Sequence, residues 1–275
     1  MDLLLDVERL SDALREGPEA PADAHTPAGA ERWLRMVARG VSPRSLLAMK
    51  LLGRRGLRFR GVDISAPNLQ HAWDIAMPIF SGEYDEWGFV PGRGDRVVDI
   101  GGNIGLYSML AASRGARVTA YEPHPESFRH LERNTARWGV DGRCAAVVRD
   151  PGTRSVRLYL HPERASRHTL AGMEVGTGSV LRHAIDVPAL PLSTVLDGGC
   201  DLLKMDCEGG EFELLRDPSI RKARRIIAEV HTAVGDPQPL LEDVRGAGFR
   251  ALLKHGADVL HTDGQPFMLL LAARD

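Results

Sequence analysis

Four short segments carry the residue types that bind cofactors and move protons. They are Val98-Asp99-Ile100-Gly101-Gly102-Asn103-Ile104-Gly105, Tyr121-Glu122-Pro123-His124-Pro125, Lys204-Met205-Asp206-Cys207-Glu208-Gly209-Gly210-Glu211 and Glu229-Val230-His231. In the first, an apolar strand runs into glycines, which let the backbone bend sharply and let a ligand approach it closely. In the second, Glu122 lies 21 residues past Gly101. An acid so placed, at the end of a second strand, accepts hydrogen bonds from both hydroxyls of a ribose.

Two cofactors fit that frame. A nicotinamide dinucleotide wants G-x-G-x-x-G, with its pyrophosphate on the helix N-terminus. Here the residue two past Gly101 is Asn103, and Asp99 stands on the strand just before the loop. A carboxylate gives an anionic pyrophosphate little, whereas it stabilises the sulfonium and ammonium of S-adenosylmethionine. The residues therefore favour S-adenosylmethionine over a nucleotide-dependent oxidoreductase.

The third and fourth segments place acids at the C-terminal edge of a sheet, where ligands sit in open α/β folds. Asp206 falls on a strand end. Glu208 stands where a helix begins, so a charge on the helix dipole and a catalytic carboxylate are both open to it. Glu229 and His231 are two residues apart and point to one side of their strand. In one version His231 is a general base oriented by Glu229, with Asp206 near the sulfonium or the acceptor; a structural histidine stays the alternative. A second version makes Asp206, Glu229 and His231 ligands of Mg or Mn. The metal-free version ranks above it.

Seven β-rich runs must position these residues: Arg96–Ile100, Arg117–Tyr121, Cys144–Val148, Asp201–Asp206, Arg225–His231, Phe249–Lys254 and Phe267–Ala273. The first five are spaced for crossover helices, with Glu126–Trp138 and Gly210–Leu215 reading as helical. The last two are joined by a turn-rich stretch, His255–Gln265, and are expected to pair antiparallel at one edge. Upstream, residues 1–15 have helical spacing, and 17–25 read as a loop. Thr26-Pro27 and Ser42-Pro43 start two helices that stop near Gly40 and Gly53.

Read together, the four segments resemble the FkbM family of S-adenosylmethionine-dependent methyltransferases. That pattern runs V-D-I/V-G-A-N-I-G, F/Y-E-P-x-P, K-I/M-D-x-E-G-x-E and E-x-H, and the one departure in its first element is Gly102 for alanine. The resemblance spans roughly residues 84–254 and says nothing of residues 1–80. It implies a class I methyltransferase fold, α/β and Rossmann-like, with a seven-stranded sheet whose last strand is antiparallel. It also implies methyl transfer, commonly to a hydroxyl of a sugar or secondary metabolite. Carried over by position, Asp99, Gly101, Asn103 and Gly105 line the methionine moiety. Glu122, followed by Pro123, holds the ribose, and Asp150 lies by the adenine. Ser166-Arg167-His168 matches poorly and leaves His168 only as a substrate contact.

Residues 1–85 are expected to form a helical cap over the acceptor, and 86–275 the Rossmann-like domain. Tyr84 and Trp87 pack there or touch substrate, packing being favoured. Between Arg32 and Arg60 the chain has nine basic residues and no acid. Such a run is usually a solvated face, and otherwise docks an acidic partner such as RNA or a carrier protein. That run alone supports a rival reading, a binding module with a vestigial cofactor site. An N- or carboxyl-methyltransferase is the rival within the same fold.

Composition narrows the field further. The chain has 275 residues, 43% of them hydrophobic and 26% charged, which excludes a wholly disordered protein. No apolar run approaches the roughly 18 residues of a membrane helix. The acid-containing start is unlike a secretory signal, so a cytoplasmic protein is expected. A net charge of -2 argues against coating nucleic acid. Cys144, Cys200 and Cys207 lack C-x-x-C spacing and read as reduced thiols. Arginine outnumbers lysine 31 to 4, a bias of GC-rich bacterial genomes. Oligomeric state stays open, with a homodimer the alternative to a monomer.

Overall fold

Continuous apolar runs become strands covered on both faces. A computed structural model of the chain describes residues 29–52, 56–85, 88–160, 183–255 and 267–274. The sheet that carries the site has seven strands: β3 (Arg96–Ile100), β4 (Arg117–Tyr121), β5 (Asp141–Arg143), β9 (Cys200–Met205), β10 (Ala223–His231), β11 (Arg250–His255) and β12 (Phe267–Ala273). Their order is β11-β12-β10-β9-β3-β4-β5. All run parallel except β12, which inserts antiparallel between β10 and β11. This is the class I methyltransferase arrangement, a seven-stranded sheet whose last strand is antiparallel. The expected pairing of the last two runs is present at one edge.

One strand differs from the sequence reading. The partner of β4 is Asp141–Arg143, not Cys144–Val148. The apolar part of that run, β6 (Ala146–Val148), leaves the main sheet and pairs parallel with β8 (His183–Pro191). β8 in turn pairs antiparallel with β7 (Ser155–Leu160), giving a small second sheet. The physical reason is that β5 is an edge strand, exposed or half-buried along its length, and needs no apolar run.

Helices on the sheet set the loops. α4 (Leu106–Ser113) starts at Gly105 in the left-handed region (φ 83°). α5 (Pro125–Thr135) has proline in its first turn and His124 as cap, its side chain accepting from Ser127 N. Buried Asn134 on α5 donates to Ile104 O (2.7 Å) and Ser65 O (2.9 Å), and accepts from Ser65 N (2.7 Å). One satisfied amide thus ties the glycine loop to the N-terminal segment. Short α6 (Leu192–Val195) and α7 (Glu211–Leu214) follow, then α8 (Pro237–Gly246).

Upstream lie α1 (Gly29–Arg39), α2 (Pro43–Leu52), the hairpin β1 (Arg58–Phe59) and β2 (Val62–Asp63), and α3 (Leu69–Ser81). α3 is capped by Asn68, which accepts from His71 N, and ends at Gly82 (φ 99°). Met36, Leu46, Phe59 and Phe80 join one core with Ile104, Leu106 and Met109 around α4. Phe59 and Phe80 stack at 4.8 Å between centroids. Each such aromatic contributes roughly 2–3 kcal/mol by burial. Within the basic stretch, Arg35 pairs with Glu31, Arg39 with Asp85 and Arg58 with Asp63. Among the described residues no helix is long and apolar enough to cross a membrane. The expectations for residues 1–28, Gly53, Trp87, Ser166–His168 and 256–265 lie outside the described residues.

Candidate functional site

A cleft enclosing about 590 Å³, the solvent at its mouth included, opens at the C-terminal ends of β3, β4 and β9. Its walls come from four places. The glycine loop supplies Gly101 and Asn103, β4 and its turn supply Tyr121, Glu122 and Pro123, and the end of β9 supplies Asp206, Cys207 and Glu208. Ala145, Ala146, Val147 and Leu158 form an apolar wall.

The loop is shaped by main-chain geometry. Gly101 N and Gly102 N both donate to Tyr121 O (3.0 Å each), and Asp206 N donates to Ile100 O (2.9 Å). Gly101 has φ 80°, and a Cβ built on it meets Asp206 O at 1.6 Å. No side chain fits between these two strand ends. Asn103 is also left-handed (φ 49°). Its N–H donates to Glu122 Oε2 (2.8 Å), and its side-chain oxygen accepts from His71 Nε2 (3.1 Å). His124 N donates to the other Glu122 oxygen (2.8 Å). Burial pushes the Glu122 carboxyl up to about 7, with the two backbone donors working against it. Glu122 and the glycine loop are therefore one hydrogen-bonded unit.

Asp99 is placed differently from the expectation of a residue lining the ligand. It has no exposed surface. One oxygen accepts from Ser108 Oγ (2.7 Å) and the other faces Lys204 Nζ (3.2 Å). Lys204 also donates to Gly101 O (3.1 Å) and lies 3.6 Å from Asp206 Oδ2. Burial lowers this ammonium's proton affinity, but Asp99 and Asp206 raise it further, so it stays charged. Asp99 and Lys204 thus form a strut beneath the loop. Gly105 does not line the cleft either: a Cβ on it meets Leu131 Cγ at 2.9 Å, so it serves the packing of α4 on α5. Asp150 sits fully exposed in the turn before β7, accepting from Gly152 N and Thr153 Oγ1. It is not among the lining residues.

The acidic edge lies beyond Asp206. Glu208 is left-handed (φ 52°) and lines the cleft. Glu211 is wholly buried; its oxygens accept from Cys207 N (2.6 Å) and Gly209 N (2.9 Å), closing the turn from β9 to α7. His231 stands behind them. Its Nε2 is 3.4 Å from Glu208 Oε2 and 3.9 Å from Glu229 Oε1, and its Nδ1 is 3.6 Å from Glu211 Oε1. Burial lowers the histidine's pKa, but Glu208, Glu211 and Glu229 raise it well above the ordinary value. Burial pushes Glu208 up to about 8, opposed by His231. Buried Tyr84 donates to Glu229 Oε2 (2.6 Å) and meets Tyr107 edge-on at 5.5 Å. One ligand atom each from Asp206, Glu229 and His231 lies within 4.8 Å of the others.

Asp206, Glu229 and His231 are thus brought together, as are Gly101, Asn103, Glu122 and Pro123. Sequence reasoning missed the strut role of Lys204, the closing role of Glu211, and His71 and Glu83, which reach the site from the N-terminal segment. Glu83 carried no signal, because Asp85 and Glu86 stand beside it and only the fold buries it. The apolar wall carried none, because small apolar residues are everywhere. Cys144, Cys200 and Cys207 are free thiols, and burial pushes Cys207 well above the usual thiol range.

A family model described as the methyltransferase FkbM domain matches residues 99–251. The chain is similar to the 31-O-demethyl-FK506 methyltransferase FkbM of Streptomyces tacrolimicus, with 30% identity over 189 residues, covering 57% of this chain and 73% of that protein. It is also similar to the AMB antimetabolite synthetase AmbE of Pseudomonas aeruginosa, at 25% identity over 254 residues. That match covers 74% of this chain but spans only 12% of the synthetase. Among solved structures, a TehB-like SAM-dependent methyltransferase from Corynebacterium glutamicum matches with TM-score 0.38 and 14% identity, covering 70% of this chain and 88% of that one.

Proposed function

The chain belongs to the FkbM family of methyltransferases, and from that premise we propose that it methylates a hydroxyl oxygen of a sugar or secondary metabolite, using S-adenosylmethionine. The observation that carries the cofactor reading is Glu122, a buried acid inside the cleft that accepts the Asn103 N–H of the glycine loop. The cleft fits the cofactor on three counts. Gly101 lets the loop turn tightly against Asp206 at the cleft wall, Glu122 presents two oxygens for the ribose, and Ala145, Ala146, Val147 and Leu158 offer an apolar seat for the adenine. When bound, the cofactor supplies a methyl group on an electrophilic sulfonium.

The protein's own tasks are then to hold the acceptor, exclude water and remove the acceptor's proton. We assign those tasks to the edge formed by Asp206, Glu229 and His231. Asp99 acts through Lys204, which keeps Gly101 and Asp206 in register. The relative from Streptomyces is named a 31-O-demethyl-FK506 methyltransferase, which supports oxygen over nitrogen.

The test is transfer of isotopically labelled methyl from S-adenosylmethionine to a panel of hydroxylated and amino-bearing acceptors, with product sites read by mass spectrometry. Label on oxygen is expected, and label confined to nitrogen or carboxylate overturns the acceptor class. His231→Ala is expected to lower turnover by about 10²-fold while leaving S-adenosylhomocysteine affinity unchanged. Wild-type turnover in that variant removes the assignment.

A further inference from the structure

We propose that Asp206, Glu229 and His231 hold a divalent transition-metal cation, of the Mn²⁺ type, that binds the acceptor hydroxyl. The inference deepens the proposed function and rests on it for the acceptor's place. Its geometric basis is the convergence of one ligand atom from each residue within 4.8 Å of the others. Two carboxylate oxygens and one imidazole nitrogen are a donor set suited to Mn²⁺ and its neighbours rather than to Ca²⁺. The donors come from the ends of adjacent parallel strands, whose register pairs Ala228 with Met205 and so fixes their spacing. Asp206 lines the cleft, which gives the ion and an acceptor a way in.

An independent observation lies beside them. Glu83, 4% exposed, has neither carboxyl oxygen hydrogen-bonded among the described residues, and Glu229 and Asp206 are the carboxylates acting on it. Glu208 and Glu211 face the same imidazole at 3.4 and 3.6 Å, so a cation held by the trio lies among further carboxyls. Lys204 approaches Asp206 only at Oδ2. A cation held here takes the acceptor oxygen as a further ligand and lowers its proton affinity, the proton leaving to solvent at the cleft mouth.

The test is a titration of the purified full chain with Mn²⁺ alone, followed by loss of the free-ion electron paramagnetic resonance signal, with and without S-adenosylhomocysteine. One ion per chain is expected, with pulsed spectra showing nitrogen coupling from one imidazole. Glu229→Gln and His231→Gln should each weaken binding tenfold or more, and the His231 variant should lose the nitrogen signal. Exposed Glu242→Gln should change neither. No bound Mn²⁺ in a protein that binds S-adenosylhomocysteine overturns the metal and leaves the cofactor reading standing. Bound Mn²⁺ without nitrogen coupling overturns the assigned ligands, a result that needs no variant to fold. Mn²⁺ binding with nitrogen coupling but no S-adenosylhomocysteine binding upholds the metal and strikes the cofactor reading instead.

Discussion

The two sides of the cleft are built by different physics. On the glycine-loop side, Gly101, Asn103 and Glu122 are joined by main-chain donors and by backbone angles that few side chains tolerate. On the acidic side, Glu208, Glu211 and Glu229 surround the His231 ring at 3.4–3.9 Å, and Asp206 comes within 4.8 Å of Glu229 and His231. The first side is rigid because geometry forbids alternatives. The second is held by mutual compensation, so its parts depend on one another and on any ion that enters. Lys204 bridges the two, touching Asp99 and Gly101 on one side and Asp206 on the other.

The largest effect expected is from Gly101→Ala. Its Cβ would lie 1.6 Å from Asp206 O, so both sides must shift. Destabilisation of about 3 kcal/mol or more is expected in urea melts, and a near-wild-type melt would show that the strand ends can slide apart. Lys204→Met comes next. It strands Asp99 in the interior at a cost of about 3–5 kcal/mol. Adding Asp99→Asn should recover part of that loss, whereas strict additivity would mean that the strut is not a coupled pair.

Glu122→Gln separates the sides. It should weaken S-adenosylhomocysteine by about tenfold to a hundredfold while leaving Mn²⁺ binding alone. Equal loss of both ligands would show that the two sides are not separable. The same residue sets a pH dependence. Its carboxyl titrates near 7 in the fold against an ordinary 4.5. Ligand affinity should therefore fall about tenfold per pH unit below that point. Stability moves the other way: because the folded value is raised, the fold loses stability as pH rises from 4.5 towards 7. A flat affinity profile between pH 5.5 and 8 would contradict the environment described for Glu122. The smallest effect is expected at His71→Ala, which removes a 3.1 Å hydrogen bond to Asn103. About 1 kcal/mol of ligand affinity should be lost, and none if Asn103 is held by its backbone alone.

The same contrast explains what the sequence made legible. The loop side lies in contiguous segments, because a strand, glycines and an acid at fixed spacing are local. Arg96–Ile100, Arg117–Tyr121 and Phe267–Ala273 read as strands with those boundaries, since both faces are apolar. Asp141–Arg143 did not, because an edge strand carries no apolar run. The partnerships of the acidic side are long-range. Tyr84 reaches Glu229 across 145 residues, and Lys204 reaches Gly101 across 103. No periodicity encodes such contacts. Asp99 was legible as an acid in the right motif, but its burial under Lys204 was not, since that follows from the β3–β9 register.

The measurement that bears most directly on the central claim is calorimetric titration of the full chain with S-adenosylhomocysteine, with NADH in a parallel cell. One site of micromolar affinity for the first and no heat from the second is the expected result. A folded protein that is silent to S-adenosylhomocysteine, or one that binds NADH, would contradict the account.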